Sequence, residues 1–170
     1  MTYRFHHTSA LMAGILLSVG SRGWLVAQTR ATAKEASVTH ASGTFEVKLV
    51  PQATAHDYLG APLGRFSIDK QFQGDLVGTS KGELLTGGTA VKNSAGYVAI
   101  ERVSGTLHGK TGTFILQHSG TMNRGAQSLT ISVVPDSGTG ELAGISGTMT
   151  IAIADGKHLY DFEYTIVPRS

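Results

Sequence analysis

The chain contains no cysteine. That excludes disulfide bracing, thiolate catalysis, thiolate metal sites and lipid anchoring through an N-terminal cysteine, so the hydrophobic core must hold the fold alone. No apolar run reaches the roughly 20 residues of a membrane-spanning helix. The best candidate, residues 10–19, is about half that length, and Arg22 interrupts any extension of it. No segment patterns as a helix of three turns, although residues 53–58 could form one turn. A long basic cluster is also missing, which argues against anionic membranes as partners.

Residues 1–33 read as a secretory leader. Arg4 supplies the charge of the n-region, the apolar stretch follows, and a small-residue zone ends at Ala27 or Ala33 as the cleavage site. An uncleaved N-terminal anchor is the alternative. The leader holds Arg4, Arg22 and Arg30 and no acidic residue, leaving 11 basic against 12 acidic side chains beyond it, a net of −1. The overall pI of about 9.0 is therefore a property of the precursor. No nucleic-acid footprint survives its removal. The expected product is an exported chain, periplasmic or secreted, with no stable membrane span after cleavage. At roughly 140 residues it is long enough to bury a core.

What is present is a succession of short alternating segments separated by glycine. Residues 34–42 are polar and read as a flexible tether. Strands are expected at 43–50, 65–73, 78–86, 96–106, 111–121, 127–134, 146–154 and 157–167, within a domain spanning 43–168. Asp155-Gly156 is a strong hairpin signal, because both positions tolerate positive φ. His108-Gly109-Lys110 and Asn123-Arg124-Gly125 suit looser turns, and Pro135-Asp136-Ser137-Gly138 suits a turn closing the strand before it. Gly82-Glu83-Leu84 recurs as Gly140-Glu141-Leu142. Repeated hairpin chemistry accounts for so short a match better than duplication. Eight strands with hairpin-length links form an antiparallel meander, which either splits into a sandwich or closes into a barrel; closure removes the exposed edges.

Several catalytic patterns match by letters and fail on context. Gly78-Thr79-Ser80-Lys81-Gly82 lacks the helix that must follow a nucleophile elbow. Ser67-Ile68-Asp69-Lys70 with Lys110-Thr111-Gly112 imitates penicillin-binding enzymes, but this serine lies in a strand rather than opening a helix. Gly105-Thr106-Leu107-His108-Gly109-Lys110-Thr111 is one residue short of a phosphate loop and no helix follows it. The histidines beyond the leader, His40, His56, His108, His118 and His158, include no close-spaced pair, so no metal site and no cofactor is expected.

Alternation places residues two apart on one face of a strand. Phe66, Ile68, Lys70 and Phe72 share a face, as do Phe114, Leu116, His118, Gly120 and Met122. Tyr97, Ala99, Glu101 and Val103 form another row, although which face of that strand points inward is ambiguous. His158, Tyr160, Phe162, Tyr164 and Ile166 align on the last strand. Lys70, Glu101 and His118 thus continue otherwise apolar rows and could meet in a barrel lumen, near tyrosine hydroxyls. Buried charges need one another or a polar ligand. A ligand-binding set of Lys70, Tyr97, Glu101 and His118 follows, with Glu101 and His118 as acid–base candidates. The same residues admit a structural role: Lys70 at a barrel rim paired to Glu101, and His118 as a satisfied core histidine. His158, beside the Asp155-Gly156 turn, suits the surface or rim.

Asp69-Lys70-Gln71-Phe72, Gly74-Asp75-Leu76, Gly78-Thr79-Ser80-Lys81-Gly82-Glu83, Ala95-Gly96-Tyr97-Val98-Ala99-Ile100-Glu101, Leu116-Gln117-His118-Ser119-Gly120-Thr121-Met122 and Gly138-Thr139-Gly140-Glu141-Leu142 together resemble an uncharacterised bacterial domain-of-unknown-function family. The likeness covers roughly residues 41–167. It implies an all-β fold, a single closed antiparallel barrel of about eight strands, similar to allene oxide cyclase or the lipocalins. No activity comes with it. The more distant likeness to allene oxide cyclase is architectural and makes an isomerase or cyclase acting on a hydrophobic substrate conceivable, but no motif transfers catalytic positions. The leading expectation is an exported barrel binding a small, largely apolar molecule. The alternatives are that isomerase and an interaction module with a packed lumen.

Overall fold

The computed structural model of the chain describes residues 37–53 and 63–167. The expected leader, residues 34–36 of the tether and residues 54–58 of the one-turn helix lie outside these. Eight antiparallel strands run β1 (Thr39–Gln52), β2 (Leu63–Gly74), β3 (Leu76–Gly88), β4 (Ala95–Leu107), β5 (Lys110–Asn123), β6 (Ala126–Val133), β7 (Ile145–Ala154) and β8 (Lys157–Ile166), with one 3-10 turn at Gly140–Leu142. They pair in sequence order, and β8 returns to β1, closing a barrel.

The tether expectation is corrected at its end. Thr39, His40, Ala41 and Ser42 belong to β1, pairing with Tyr164, Glu163, Phe162 and Asp161. Ala41 is fully buried. The segment has too little apolar character to announce a strand; the partner that orders it is more than a hundred residues away.

Two turns are tighter than the sequence implied. His108-Gly109 joins the paired residues Leu107 and Lys110, and Arg124-Gly125 joins Asn123 and Ala126, each with positive φ at both positions. They match Asp155-Gly156, at φ 50° and 73°. All three are two-residue loops whose twist suits the flanking strands. The repeated Gly-Glu-Leu triplet is not hairpin chemistry: Gly82-Glu83-Leu84 lies in mid-strand and Gly140–Leu142 is the 3-10 turn.

The two ends of the barrel differ. At the end where β1 begins, Leu76, Leu107, Phe114, Leu142 and Phe162 are fully buried. Phe114 stacks on Phe162 at 5.6 Å, and Phe162 on Tyr164 at 5.3 Å. Polar bonds seal this end. Asp75 accepts from the Ser42 amide at 2.8 Å, and the Tyr160 hydroxyl accepts from the Leu76 amide at 2.9 Å. At the other end the inward rows continue but the side chains emerge. Leu49, Leu129 and Ile153 lie on the faces of the buried Phe45, Ile131 and Met149, yet are 49%, 41% and 71% exposed.

The seam between β6 and β7 explains part of this opening. Only Ser132 and Thr148 pair across it. Beyond Val133 the chain turns at Pro135–Ser137 and lays Thr139 on Thr113 (N to O, 2.8 Å), so the linker covers the edge of β5. Leu142 then plugs the closed end, and toward the open one β6 and β7 register no pair beyond Ser132 and Thr148.

Curvature at the closed end depends on an inward row of Gly78, Gly105 and Gly112 across β3, β4 and β5. A methyl group at Gly105 would press on the Val77 carbonyl and lie 2.8 Å from the Gly78 Cα. Gly105→Ala is expected to destabilise the barrel by about 1–3 kcal/mol in urea unfolding. Ser104→Ala, one residue away and outward-facing, should stay within about 0.5 kcal/mol of the parent.

Candidate functional site

Four consecutive strands each contribute one polar side chain to the lumen. Lys70 of β2 lies directly opposite Ser80 of β3. Ser80 opposes Val103, whose inward neighbour on β4 is Glu101; Glu101 opposes Leu116, whose inward neighbour on β5 is His118. The four groups therefore descend a diagonal of the sheet, within reach of long side chains. Gly82 opposes Glu101, and a methyl group there would lie 2.7 Å from the Glu101 Cβ. Its absence makes room for the carboxylate.

The carboxylate is the hub. Its Oε1 accepts from Lys70 Nζ at 2.7 Å and from His118 Nε2 at 2.9 Å, and its Oε2 accepts from Ser80 Oγ at 2.6 Å. Glu101 is 0% exposed, and Ser80, His118 and Lys70 only 1%, 4% and 6%. The Lys70 ammonium also sits over the Phe45 ring at 4.8 Å and the Phe72 ring at 5.9 Å, which favours a desolvated cation. Burial alone pushes the Glu101 carboxyl up. The His118 bond, the Lys70 charge and the bonds from Lys70 and Ser80 outweigh it and hold the group at about 2. An ionised carboxylate only accepts, so His118 Nε2 carries the proton of that bond.

Of the residues expected to form a site, Lys70, Glu101 and His118 come together, and all three face the lumen. Tyr97 shares their face but stands nearer the open end, half-buried, with its ring filling the space above Gly120. Burial first, and then the Glu101 charge, raise its hydroxyl pKa, so it stays protonated at neutral pH. His158 is at the rim and turned inward, its ring stacked on Phe45 at 5.0 Å.

Ser80 was missed. Its inward position between Gly78 and Gly82 was legible by alternation, but those glycines drew attention to a false nucleophile motif. Also unforeseen was an exposed group of possible metal ligands, His40 of β1 with Asp161 and Glu163 of β8. Sequence spacing could not reveal it, since closure of the barrel brings these strands together.

A hollow of about 460 Å³ lies near the open end, where Thr86, Tyr97, Met122, Gln127 and Leu129 meet. A larger one, about 770 Å³, lies mostly on the outer face, against Leu63, Arg65, Leu85 and Val98. The smaller shares the inward rows of β4 and β5 with the polar cluster, and the Tyr97 ring over Gly120 lies between the two.

The cluster has a pH signature. The Glu101 carboxyl falls from its ordinary 4.5 to about 2 on folding. Its contribution is therefore complete above about pH 4.5 and is lost as pH falls toward 2, by roughly 3 kcal/mol. Urea midpoints across that window should fall more steeply for the natural protein than for Lys70→Met/Glu101→Leu, which lacks the group. At neutral pH, Glu101→Leu alone strands a buried ammonium and should cost about 3–5 kcal/mol. The double substitution should recover at least about 1 kcal/mol of that.

No curated protein matches the chain. The family described as "Protein of unknown function (DUF3224)" matches residues 41–164. Among solved structures, the crystal structure of a DUF3224 protein of unknown function from Shewanella oneidensis MR-1 is 48% identical. The alignment covers 78% of this chain and 100% of that one, with a TM-score of 0.75. The match spans the barrel from Ala41 in β1 to Tyr164 in β8, and with it the whole Lys70–Ser80–Glu101–His118 cluster: the chain belongs to the DUF3224 family.

Proposed function

We propose that the open half of the barrel binds a small, largely apolar molecule. The observation that carries this reading is the exposure of Leu49, Leu129 and Ile153 on inward faces that are sealed lower down. Apolar side chains that point into a lumen and still meet solvent form a cup that gains by being filled. The hollow of about 460 Å³ beside Leu129 lies within the range of small-molecule sites. Lys70, Glu101, His118 and Ser80 make the floor of this cup, and the protonated Tyr97 hydroxyl is the donor best placed for the polar end of a ligand.

The isomerase alternative narrows on the same geometry. Glu101 has both oxygens occupied and a pKa of about 2, so it is a poor proton acceptor at neutral pH. His118, whose other ring nitrogen is not used in the Glu101 bond, is the better acid–base candidate of the two. The packed-lumen alternative describes the closed half of the barrel and leaves the open half unexplained.

The proposal places this binding outside the cytoplasm, periplasmic or secreted. The leader-like pattern of residues 1–33 supports that location.

Fluorescence titration with the neutral probe N-phenyl-1-naphthylamine tests the cup. Saturable binding is expected, weakened about tenfold or more in Leu129→Asp/Ile153→Asp. That variant alters only exposed positions, so its melting temperature should change little. A natural protein that leaves the probe unbound would overturn the reading.

A further inference from the structure

We infer that the molecule held in the cup carries no net charge. The inference rests on the binding reading above and adds the chemical class of the ligand. The floor of the cup is electrically complete: one ammonium, one carboxylate, and a histidine and a serine that both donate to that carboxylate. Among the described residues, no buried side-chain nitrogen or oxygen lacks a hydrogen-bond partner. The Glu101 carboxylate is therefore left with no unpaired oxygen for a charged headgroup.

For Lys70 to meet a ligand carboxylate, it would have to release Glu101. That would leave a carboxylate with 0% exposure short of its cation, and the Phe45 and Phe72 rings already occupy the other approach to the ammonium. A cationic headgroup would face the same obstacle, because Lys70, His118 and Ser80 already hold Glu101.

Among the described residues the walls supply no charge either. Above the cluster the inward positions are Leu49, Phe66, Leu84, Met122, Leu129 and Ile153, together with smaller or uncharged neighbours. The titratable groups on that surface, among the described residues, are Tyr97 and His158. Tyr97 is held protonated. His158 lies at the rim, with the Phe45 ring between it and Lys70. A charged headgroup would thus exchange water for an apolar wall with no fixed countercharge. A hydroxyl or carbonyl needs only one partner, and the Tyr97 hydroxyl can provide it.

Displacement of N-phenyl-1-naphthylamine from the natural protein by three competitors with the same ten-carbon tail tests this at about pH 8, where a fatty carboxylate is ionised. The competitors are 1-decanol, decanoate and decyltrimethylammonium. Decanol is expected to displace the probe at a concentration about tenfold lower than either ion. Equal or better displacement by decanoate or by the ammonium would overturn the inference while leaving the binding reading intact. If the probe does not bind, the binding reading fails and this inference falls with it; a bound probe that resists all three competitors overturns the inference alone.

Discussion

The barrel depends on one interaction, the buried ion pair between Lys70 and Glu101 with Ser80 and His118 donating to the same carboxylate. Each group sits where an apolar side chain would be expected, and each would be destabilising alone. Their mutual geometry is what makes them tolerable. It also ties together four strands from the inside, whereas the outer face is linked by exposed pairs such as Arg65–Glu83 and Lys81–Asp69. A slip of one residue between β2 and β3 would turn Lys70 outward and leave Glu101 in the lumen without its cation. The polar cluster therefore distinguishes the native register from its neighbours more sharply than the surrounding leucines and phenylalanines can. Hydrophobic rows tolerate substitution among themselves; a paired carboxylate does not tolerate a missing cation.

The cluster also marks the boundary between two regimes of packing. Toward the closed end, aromatic stacking, the inward glycines and the Leu142 plug fill the lumen. Toward the open end the same strands continue with inward Leu49, Leu129 and Ile153, but no element covers them among the described residues. The cause is topological. The linker after Val133 travels along the edge of β5 toward the closed end, so β6 and β7 share one pair and then part. A barrel of eight strands with a full β6–β7 ladder would have less reason to leave its upper rows exposed.

Much of this was legible in the sequence, and for a definite reason. Alternation of period 2 fixes which side chains share a face, so the rows through Lys70, Glu101 and His118 could be read without knowing how the strands pair. Glycine following a residue that tolerates positive φ located the hairpins. What escaped needs information from distant parts of the chain. Thr39 to Ser42 look like tether because their order comes from β8. Ser80 looks like part of a false motif because its partner, Glu101, is on the next strand. The His40, Asp161 and Glu163 group exists only because the first and last strands meet. Local pattern gives faces and turns; partners across a closed sheet come from register, which the sequence states only indirectly.

Membership of the DUF3224 family settles kinship and fold and leaves chemistry to be argued from the site. There the decisive distinction is between a polar cluster that is closed and one that is open. An open cluster has an unsatisfied donor, acceptor or charge and thereby specifies what must come to it. This one is closed at Glu101, whose two oxygens take three hydrogen bonds and whose charge is balanced by Lys70. A closed cluster specifies by exclusion: in the proposed cup it offers no unpaired carboxylate oxygen and makes a competing charge less stable there than in water. In the proposed cup, ligand recognition falls to the shape of the apolar rows and to the half-buried Tyr97 hydroxyl. On the proposed reading, the residues that most resemble catalytic machinery act first as the foundation on which a binding surface rests.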